Sequence, residues 1–386
     1  MITYSDYLTD TRVRREAETL ASLPEYNVKV LAPKRGSLSC NYEIDNVKVL
    51  EMNVEKYRGS TKSRYIWSYI IFMAISFFTC MKLFMSKKIE IVHVHNMPDF
   101  LVFAGIVPRL FGKKLILDIH DTMPETYTAK FGSSSSLLFK VLRLEELICC
   151  GVVQKIICVN HVQRDVLLKR GIPSDKVSVS LNVPDHKRFD LGQMKRDYGI
   201  KNDCFRMVYH GLIVRRLGID LVIKVIAQLV DEISNIEFHV WGKYGDDFDD
   251  LDGLSKELRV EDRIHFVREG VPFERVPFEL KRMDIGIVGN RKNIATEIML
   301  PVKLLEYVAI GIPVVVPRLK AIEYYFSDEM VCYFEPENVD SLASAILKLY
   351  KDKSLRRAQA QSAKAFLAQY GWDKHQEDFI DLYREI

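Results

Sequence analysis

Short apolar runs rich in β-branched residues alternate along this chain with segments of helical periodicity, which is typical of βαβ units around parallel sheets. Parallel strands that are buried on both faces read as nearly continuous apolar runs, as these do. In the first half, the pattern predicts strands over 28–32, 89–94, 114–119, 153–160 and 177–181, with helices over 14–22 and 136–150. In the second half, it predicts strands over 205–209, 236–241, 264–267, 285–288, 313–317 and 331–334, with helices over 218–233, 274–281, 301–310, 339–350, 354–370 and 372–386.

A polar stretch over residues 185–203 separates the two series and predicts a linker between two domains. At about 150 residues per domain, two domains are also what 386 residues should form. The predicted division is an N-terminal domain over 1–190, a C-terminal domain over 191–370, and a last helix over 371–386 that packs back on the N-terminal domain. The predicted fold class is α/β, with two doubly wound, Rossmann-like domains facing across a cleft and ligands at the carboxyl ends of the strands.

The composition excludes several classes of protein. Lys and Arg number 55 and Asp and Glu 52, so the net charge is +3, which argues against a nucleic-acid binder with its basic stripe. With 48% hydrophobic and 28% charged residues, the chain is neither disordered nor an integral membrane protein. Seven cysteines without a CxxC spacing fit free thiols in a reducing compartment. No signal-peptide pattern opens the sequence, and a cytoplasmic location is expected.

One apolar segment has several interpretations. Residues 56–88 carry seven basic side chains and no acidic one, and residues 65–81 are uncharged. A membrane-spanning helix needs about 20 apolar residues, and this run includes two serines and a threonine. A core helix or an amphipathic helix on an anionic membrane therefore fits better than a true span. The second alternative predicts a peripheral protein on the inner face of a membrane.

The sharpest motif is Leu-Pro-Val-Lys-Leu-Leu-Glu-Tyr at 300–307. Pro301 is favoured at the first position of a helix, and the free N–H groups of the first turn, with the helix dipole, attract phosphate. Lys303 adds a positive charge in that turn. Glu306 lies on the same face, where a carboxylate can accept hydrogen bonds from ribose hydroxyls. The alternative is a capped core helix with a surface Lys–Glu pair.

A second motif, His-Gly-Leu-Ile-Val-Arg-Arg-Leu-Gly, begins at His210 directly after a predicted strand. Gly211 at the end of a strand lets a ligand approach the backbone closely. The guanidinium of Arg216, just before the next helix, suits a diphosphate. No GK[ST] or GxGxxG pattern follows, which disfavours ATP and NAD as ligands. The alternative for Arg216 is a solvated helix start.

The segments HGLIVRRLGID (210–220), LPVKLLEYVAIGIPVVVP (300–317) and TDTRVRREAETLA (9–21) together resemble the retaining glycosyltransferases of family 4 over nearly the whole chain. The resemblance implies a GT-B fold whose C-terminal domain binds a nucleoside-diphosphate sugar and whose N-terminal domain binds the acceptor. Carried over by position, Arg216 and Lys303 hold the diphosphate and Glu306 holds the ribose.

The chain departs from the family at one position. Family members often carry two glutamates with seven residues between them, and the earlier partner of Glu306 falls on Ile298. Glu297 is adjacent and is a candidate donor contact. The alternative is that the first glutamate is absent from a subgroup with the motif LPxKxxEY.

Candidate residues also follow strands of the N-terminal half. His120 comes directly after the strand over 114–119, and the resemblance places a histidine near the transferred sugar. His95 and Asn96 are expected to open into the cleft. Asp10 is placed to cap a helix, and the resemblance makes Asp10 and Arg12 acceptor-side candidates. Structural roles are the alternatives for His120, Asp10 and Arg12. The His-x-His pair lacks a matching carboxylate or cysteine spacing, so no metal and no cofactor are expected.

The leading prediction is an enzyme that moves a hexose from a nucleoside-diphosphate sugar to a hydroxyl of a saccharide or lipid-linked glycan. The resemblance implies retention of anomeric configuration without a metal, in cell-surface polysaccharide or glycolipid assembly. A UDP-sugar is favoured and a GDP-sugar is the alternative, with His120, Arg216 and Lys303 as catalytic candidates. Two alternatives from other classes are a non-catalytic scaffold of the same shape and a nucleotide-sugar epimerase.

Overall fold

The computed structural model describes residues 1–36, 40–57, 61–131, 137–184, 189, 204–245 and 250–386. The chain divides into two compact units, which are unit 1 (Met1–Asn182 with His375–Ile386) and unit 2 (Val183–Lys374). The boundary predicted after residue 190 falls after Asn182, because Val183 already makes its contacts within unit 2. The predicted linker over 185–203 lies outside the described residues apart from Phe189.

Unit 1 alternates strands with helices along the chain. Its elements are α1 (Thr11–Ala21), β1 (Lys29–Lys34), β2 (Asn41–Ile44), β3 (Val47–Glu55), α2 (Lys62–Met85), β4 (Ile91–His95), α3 (Ile106–Leu110), β5 (Lys114–Ile119), α4 (Met123–Phe131), α5 (Leu137–Val152), β6 (Lys155–Cys158), α6 (His161–Lys169) and β7 (Val177–Val179). Strands β4, β5, β6 and β7 pair in parallel in that order. Strand β3 pairs in parallel with β1 and antiparallel with β2. Ile2 bridges both groups of strands.

The sequence pattern missed strands β2 and β3. Both are half-exposed and alternate polar with apolar residues, so neither reads as a continuous apolar run. The turn that joins them is Asp45-Asn46, with φ of 50° and 62°. Two consecutive residues with positive φ are typical of a two-residue hairpin turn, for which Asp and Asn are well suited. That signal was available in the sequence.

Unit 2 is a parallel α/β unit. Its elements are β8 (Phe205–His210), α7 (Ile219–Leu229), β9 (Ile236–Trp241), α8 (Leu251–Glu257), β10 (Ile264–Val267), α9 (Val276–Leu280), β11 (Ile285–Ile287), α10 (Val302–Ile310), β12 (Val314–Pro317), α11 (Lys320–Tyr325), β13 (Cys332–Phe334), α12 (Val339–Lys351) and α13 (Lys353–Tyr370). The sheet order is β10-β9-β8-β11-β12-β13, so the strand order reverses between β8 and β11. Ligands of such sheets bind at the carboxyl ends of the strands at this reversal. The predicted fold class of two Rossmann-like α/β units is confirmed.

The last helix, α14 (Trp372–Glu385), belongs to unit 1 from His375 onward. The Tyr383 hydroxyl lies 2.5 Å from Nδ1 of His93, and the Tyr383 ring packs edge-on against Tyr26. The apolar side chains of α14 are thereby buried in unit 1.

Helix α2 contains the apolar part of the basic segment 56–88. By length and composition, its residues Ile66–Met85 are sufficient to cross a membrane. Ser68, Phe72, Ser76 and Cys80 follow one another at intervals of four residues on its buried face. Phe72 and Cys80 belong to the hydrophobic core of unit 1, while the opposite face is exposed.

Candidate functional site

The two motifs of the second half meet at the carboxyl end of β8. Tyr209 and His210 end this strand, and α10 begins after Pro301, which occupies the N-cap position. The helix therefore begins at Val302, one position after the predicted start at Pro301. No side chain caps this helix. The first turn of α10 consequently keeps the anion-attracting character of a helix N-terminus.

Lys303 points its amine at this strand end. Nζ lies 3.5 Å from the centroid of the Tyr209 ring, and a side chain at Gly211 would come within 3.5 Å of Nζ. The amine is buried and has no hydrogen-bond acceptor among the described residues. Burial lowers the pKa of Lys303 to about 7, with Glu306 opposing and Arg216 adding to the decrease. An anion that binds beside a buried ammonium group stabilises its charged form.

Glu306 is held by the end of β8. Its carboxylate is hydrogen-bonded to Nε2 of His210, and Nδ1 of His210 lies 3.0 Å from the Tyr307 hydroxyl. The Tyr307 hydroxyl is also 3.3 Å from the backbone oxygen of Val208. The side chains of His210 and Glu306 both remain 12% exposed. The structure therefore brings His210, Gly211, Lys303 and Glu306 together, as both motifs require.

Arg216 is half-buried and lies in a short 3₁₀ turn (Arg215–Leu217) that precedes α7. Gly218 ends the turn with φ of 68°, and a side chain there would lie 2.0 Å from the Gly289 carbonyl oxygen. Only glycine fits this close crossing of two backbones. The Arg216 carbonyl accepts from the backbone N–H of Arg291, 2.9 Å away. The turn is thus tied to the segment that follows β11.

Glu297 has other partners in the structure. Its carboxylate lies 3.3 Å from Nζ of Lys292 and accepts from the backbone N–H of Lys320, 3.2 Å away. It therefore ties the loop before α10 to the start of α11. None of the contacts described joins it to Lys303 or Glu306, and its role as a donor contact stays a prediction.

Sequence reasoning missed two residues of this region. The Tyr209 ring packs against the Lys303 amine, and burial raises the pKa of Tyr209 above its usual range. Asn290, which follows β11, is fully buried, and neither its amide nitrogen nor its oxygen has a hydrogen-bond partner among the described residues. A strand that ends in Tyr-His-Gly could have indicated the first. No local signal marks Asn290.

Asp118 is the centre of the polar cluster in unit 1. Arg12 donates from Nε and Nη2 to its two oxygens, at 2.7 and 2.8 Å, and from Nη1 to the Ser180 carbonyl at 2.7 Å. Both Arg12 and Asp118 are almost completely buried. Burial opposes ionisation of Asp118, yet Arg12 holds the pKa of this carboxyl well below its usual range. Arg12 was expected on the acceptor side or solvated, but its guanidinium is committed to this ion pair.

Two histidines share the Asp118 carboxylate. Nδ1 of His95 and Nε2 of His120 each lie 3.0 Å from Oδ2, and the two ring nitrogens are 3.2 Å apart. Burial lowers the pKa of His95 to about 4. Burial also opposes the charged form of His120, but the Asp118 charge outweighs it and raises the pKa of His120. His95 was expected to open into a cleft and is instead fully buried, whereas the His120 side chain is 23% exposed.

The two remaining candidates hold backbone segments. Asn96 is buried, donates to Asp99 and to the Asp121 carbonyl at 2.7 Å, and accepts from the His120 N–H at 2.8 Å. It therefore fixes the loop that carries His120. Asp10 caps α1 by accepting from the Val13 N–H at 3.2 Å.

Two groups of side chains in the described part of the chain are close enough to share a metal ion. One consists of Glu16, His93, His95 and Asp118, and the other of Glu237, His239 and His265. In the first group, Arg12 already donates to both oxygens of Asp118. In the same group, Nε2 of His93 and Nε2 of His95 have no hydrogen-bond partner among the described residues, and the expectation of no metal stays a prediction.

Two family models match the chain. A family model described as glycosyltransferase family 4 matches residues 10–188, and one described as glycosyl transferases group 1 matches residues 192–366. No curated protein matches the sequence.

Solved structures resemble the chain along its whole length. A sucrose-phosphate synthase from Thermosynechococcus elongatus superposes with a TM-score of 0.79 at 16% identity, covering 100% of this chain and 98% of the other. HepE from Anabaena, in complex with UDP, has a TM-score of 0.69 at 11% identity, with 100% and 99% covered. WaaG, described as a glycosyltransferase of lipopolysaccharide biosynthesis, has a TM-score of 0.70 at 14% identity, with 98% of both covered. At these identities the likeness shows the fold.

Proposed function

Because the chain belongs to the group 1 glycosyltransferases of GT-B type, we propose that it transfers a hexose from a UDP-sugar to a hydroxyl group with retention of anomeric configuration. The acceptor in this proposal is a saccharide or a lipid-linked glycan at the cytoplasmic side of a membrane, in the assembly of a surface polysaccharide or glycolipid. A GDP-sugar is the alternative donor.

The observation that carries the proposal is the buried amine of Lys303, which has no hydrogen-bond acceptor among the described residues. It lies beside Gly211 and belongs to the uncapped first turn of α10. A buried cation without an acceptor is unfavourable unless an anion occupies the adjacent space. A diphosphate satisfies Lys303 and the helix N-terminus together, and Arg216 supplies a further guanidinium from the turn before α7.

The other parts of the site suit the rest of the donor. In the proposal, Glu306 accepts hydrogen bonds from the ribose hydroxyls, and His210 fixes the orientation of its carboxylate. HepE, one of the similar structures, was solved with UDP, which favours uridine as the base. As the bond between sugar and diphosphate breaks, negative charge grows on the leaving group, where Lys303 and Arg216 stabilise it. The leaving phosphate then accepts the proton of the attacking hydroxyl on the same face of the sugar.

A panel of donors tests the proposal. Thermal unfolding of the full chain is measured with UDP-, GDP- and ADP-sugars, and UDP or GDP release is measured with and without acceptor lysate. A UDP-sugar should raise the melting temperature, and acceptor should increase UDP release. If no nucleotide sugar raised the melting temperature, the proposed donor site would be contradicted. If acceptor did not increase UDP release, the proposed transfer would be contradicted.

Replacing Arg216 by alanine is expected to lower UDP release by about 100-fold, because one preorganised donor to developing charge contributes that much. The neighbouring exposed Arg215, replaced by alanine, is the matched control and should retain the rate. Steady-state UDP release at saturating donor gives the comparison. Equal rates in the two variants would remove Arg216 from the diphosphate site.

The Lys303 amine predicts a pH dependence of donor binding. With a pKa of about 7 in the free protein, the amine is largely neutral above that pH, and the bound diphosphate favours its charged form. Binding above pH 7 must therefore take up a proton, and donor affinity should fall about tenfold per pH unit from 7 to 9. Calorimetry with a UDP-sugar in buffers of different ionisation enthalpy measures this uptake. If the complex took up no proton from the buffer at pH 8, the prediction would be contradicted.

A further inference from the structure

Unit 1 exposes large apolar side chains along α2. These are Ile66, Trp67, Ile70, Ile71, Phe78 and Met85, of which Trp67 is 63% and Phe78 68% exposed. The helix is held to the unit by its other face, so the exposed stripe has no partner within the described residues of unit 1. The stripe extends from one end of a 24-residue helix to the other.

Helix α5 carries a second exposed stripe, which the sequence did not indicate. Leu137, Val141, Leu144 and Ile148 follow one another at helical spacing, and all four are exposed. Between the helices, Leu110 and Phe111 at the end of α3 are also exposed.

Contacts connect the helices that carry these stripes. The ring centroid of Phe111 lies 5.5 Å from that of Phe84, which joins the end of α3 to α2. A 3₁₀ helix over Asp99–Gly105 contacts both α2 and α5. We call the exposed apolar side chains of α2, α5 and the end of α3 the apolar face. Surfaces of this kind larger than a few hundred Å² mark interaction sites.

The charges around the apolar face identify its partner. The segment 56–88 has seven basic residues and no acidic one, and Lys140 and Arg143 are exposed between the apolar positions of α5. A second copy of the chain would bring these cations against one another, because symmetric interfaces pair identical surfaces. An anionic bilayer accepts both parts, since lysine and arginine reach the head groups while tryptophan and aliphatic side chains enter the interface.

A groove at the start of α2 combines the same two properties. It has a volume of about 720 Å³, and its lining includes four cations, two acids and an apolar wall, which are Lys34, Arg35, Lys56, Arg64, Asp6, Glu55, Trp67 and Ile71. Glu55 lies 3.6 Å from Nζ of Lys34, so the cations outnumber the acids by two. Cations beside an apolar wall match a phosphate head group and the first carbons of its lipid chain. Lys56 and Arg64 are exposed at this groove.

We propose that unit 1 docks on an anionic lipid bilayer through the apolar face, and that the groove at the start of α2 receives a lipid phosphate head group. This inference rests on the proposed function, because docking would bring a lipid-linked acceptor to the enzyme. It assigns to α5 and to the end of α3 a share in binding the membrane.

The tryptophans provide a direct test of where the bilayer lies. The chain has three, and Trp241 and Trp372 are buried whereas Trp67 is exposed. The full chain is mixed with phosphatidylcholine–phosphatidylglycerol vesicles (7:3) whose acyl chains are brominated near the glycerol. Emission should shift to the blue and be quenched, and Trp67→Phe should remove the response. A response that persists in Trp67→Phe would contradict insertion of α2.

Variants test the two other parts of the proposal by vesicle sedimentation. Leu144→Glu on α5 should weaken binding at least tenfold, while Phe278→Glu, at an exposed position of unit 2, should bind normally. The double variant Lys56→Gln/Arg64→Gln should bind anionic vesicles roughly 30-fold more weakly, because each cation near an anionic leaflet contributes about fivefold. Unchanged binding of Leu144→Glu would remove α5 from the face, and unchanged binding of the double variant would remove the groove.

Separate measurements distinguish this inference from the proposed function. UDP release from a UDP-sugar in the absence of vesicles reports the donor site alone, and Leu144→Glu should keep the wild-type rate. Normal UDP release with no vesicle binding by the wild type would overturn the inference and leave the proposed function standing. Light scattering that shows a dimer dissociated by Leu144→Glu would also overturn it in favour of a second copy.

Discussion

Replacing Lys303 by methionine is expected to stabilise the protein and to remove most of its UDP release. The amine is buried and has no hydrogen-bond acceptor in the described part of the chain, and burial lowers its pKa from 10.5 to about 7. A shift of that size corresponds to about 5 kcal/mol against the charged form in the folded state. Methionine fills similar space without a charge, so we expect the free energy of unfolding at pH 7 to rise by about 1–3 kcal/mol.

The loss of function in Lys303→Met should be large. A preorganised cation at a developing diphosphate contributes about 100- to 1000-fold to the rate, and we expect UDP release to fall by that factor. Lys224→Met, at a half-exposed position on α7, is the matched control and should change neither property. Thermal unfolding and UDP release are measured on all three proteins. A destabilised Lys303→Met, or one with normal UDP release, would contradict the assignment of this amine to the diphosphate.

Replacing Arg12 by alanine is expected to destabilise unit 1 by about 3–5 kcal/mol, because it leaves the buried Asp118 carboxylate without its cation. Arg14→Ala on the same helix is the matched control. Arg14 is paired with Glu18 and Asp45 nearer the surface, and its loss should cost about 1 kcal/mol or less. Denaturant unfolding followed by circular dichroism compares the two variants.

The Arg12 comparison also decides between two roles for this residue. The family resemblance places Arg12 on the acceptor side, where alanine should abolish transfer and leave the fold intact. The structure commits its guanidinium to Asp118 and the Ser180 carbonyl. If Arg12→Ala matches Arg14→Ala in stability and loses only transfer, the acceptor-side prediction is right and the structural role assigned here is wrong.

Much of the candidate donor site could be predicted from local sequence. Pro301, Lys303 and Glu306 lie in one helical turn, and His210 and Gly211 end a strand, so spacing alone places them on defined elements. Their meeting follows from the parallel sheet, in which carboxyl ends of strands and helix N-termini share one edge. Asn290 could not be predicted, because its burial depends on how the segment after β11 crosses Gly218.

The cluster in unit 1 was predicted less well. Its members are distant in the chain, since Arg12 and Asp118 are 106 residues apart and His95 lies between them. A pattern of residue types indicates that such side chains follow strands or begin helices, but it does not indicate which polar groups pair. The pairing depends on the packing of α1 across the strands, and it buries His95 and Arg12 while leaving His120 partly exposed.

The sequence by itself determined the two α/β units, most strands of both parallel sheets and the motif helix that carries Lys303, because these depend on hydrophobic periodicity and local capping. Only the tertiary structure decided which charges are buried. Within the described residues, it left the Lys303 amine without an acceptor, surrounded Asp118 with donors, and exposed the apolar stripes of α2 and α5. Burial and pairing are properties of neighbours distant in the chain, and a one-dimensional pattern does not contain them.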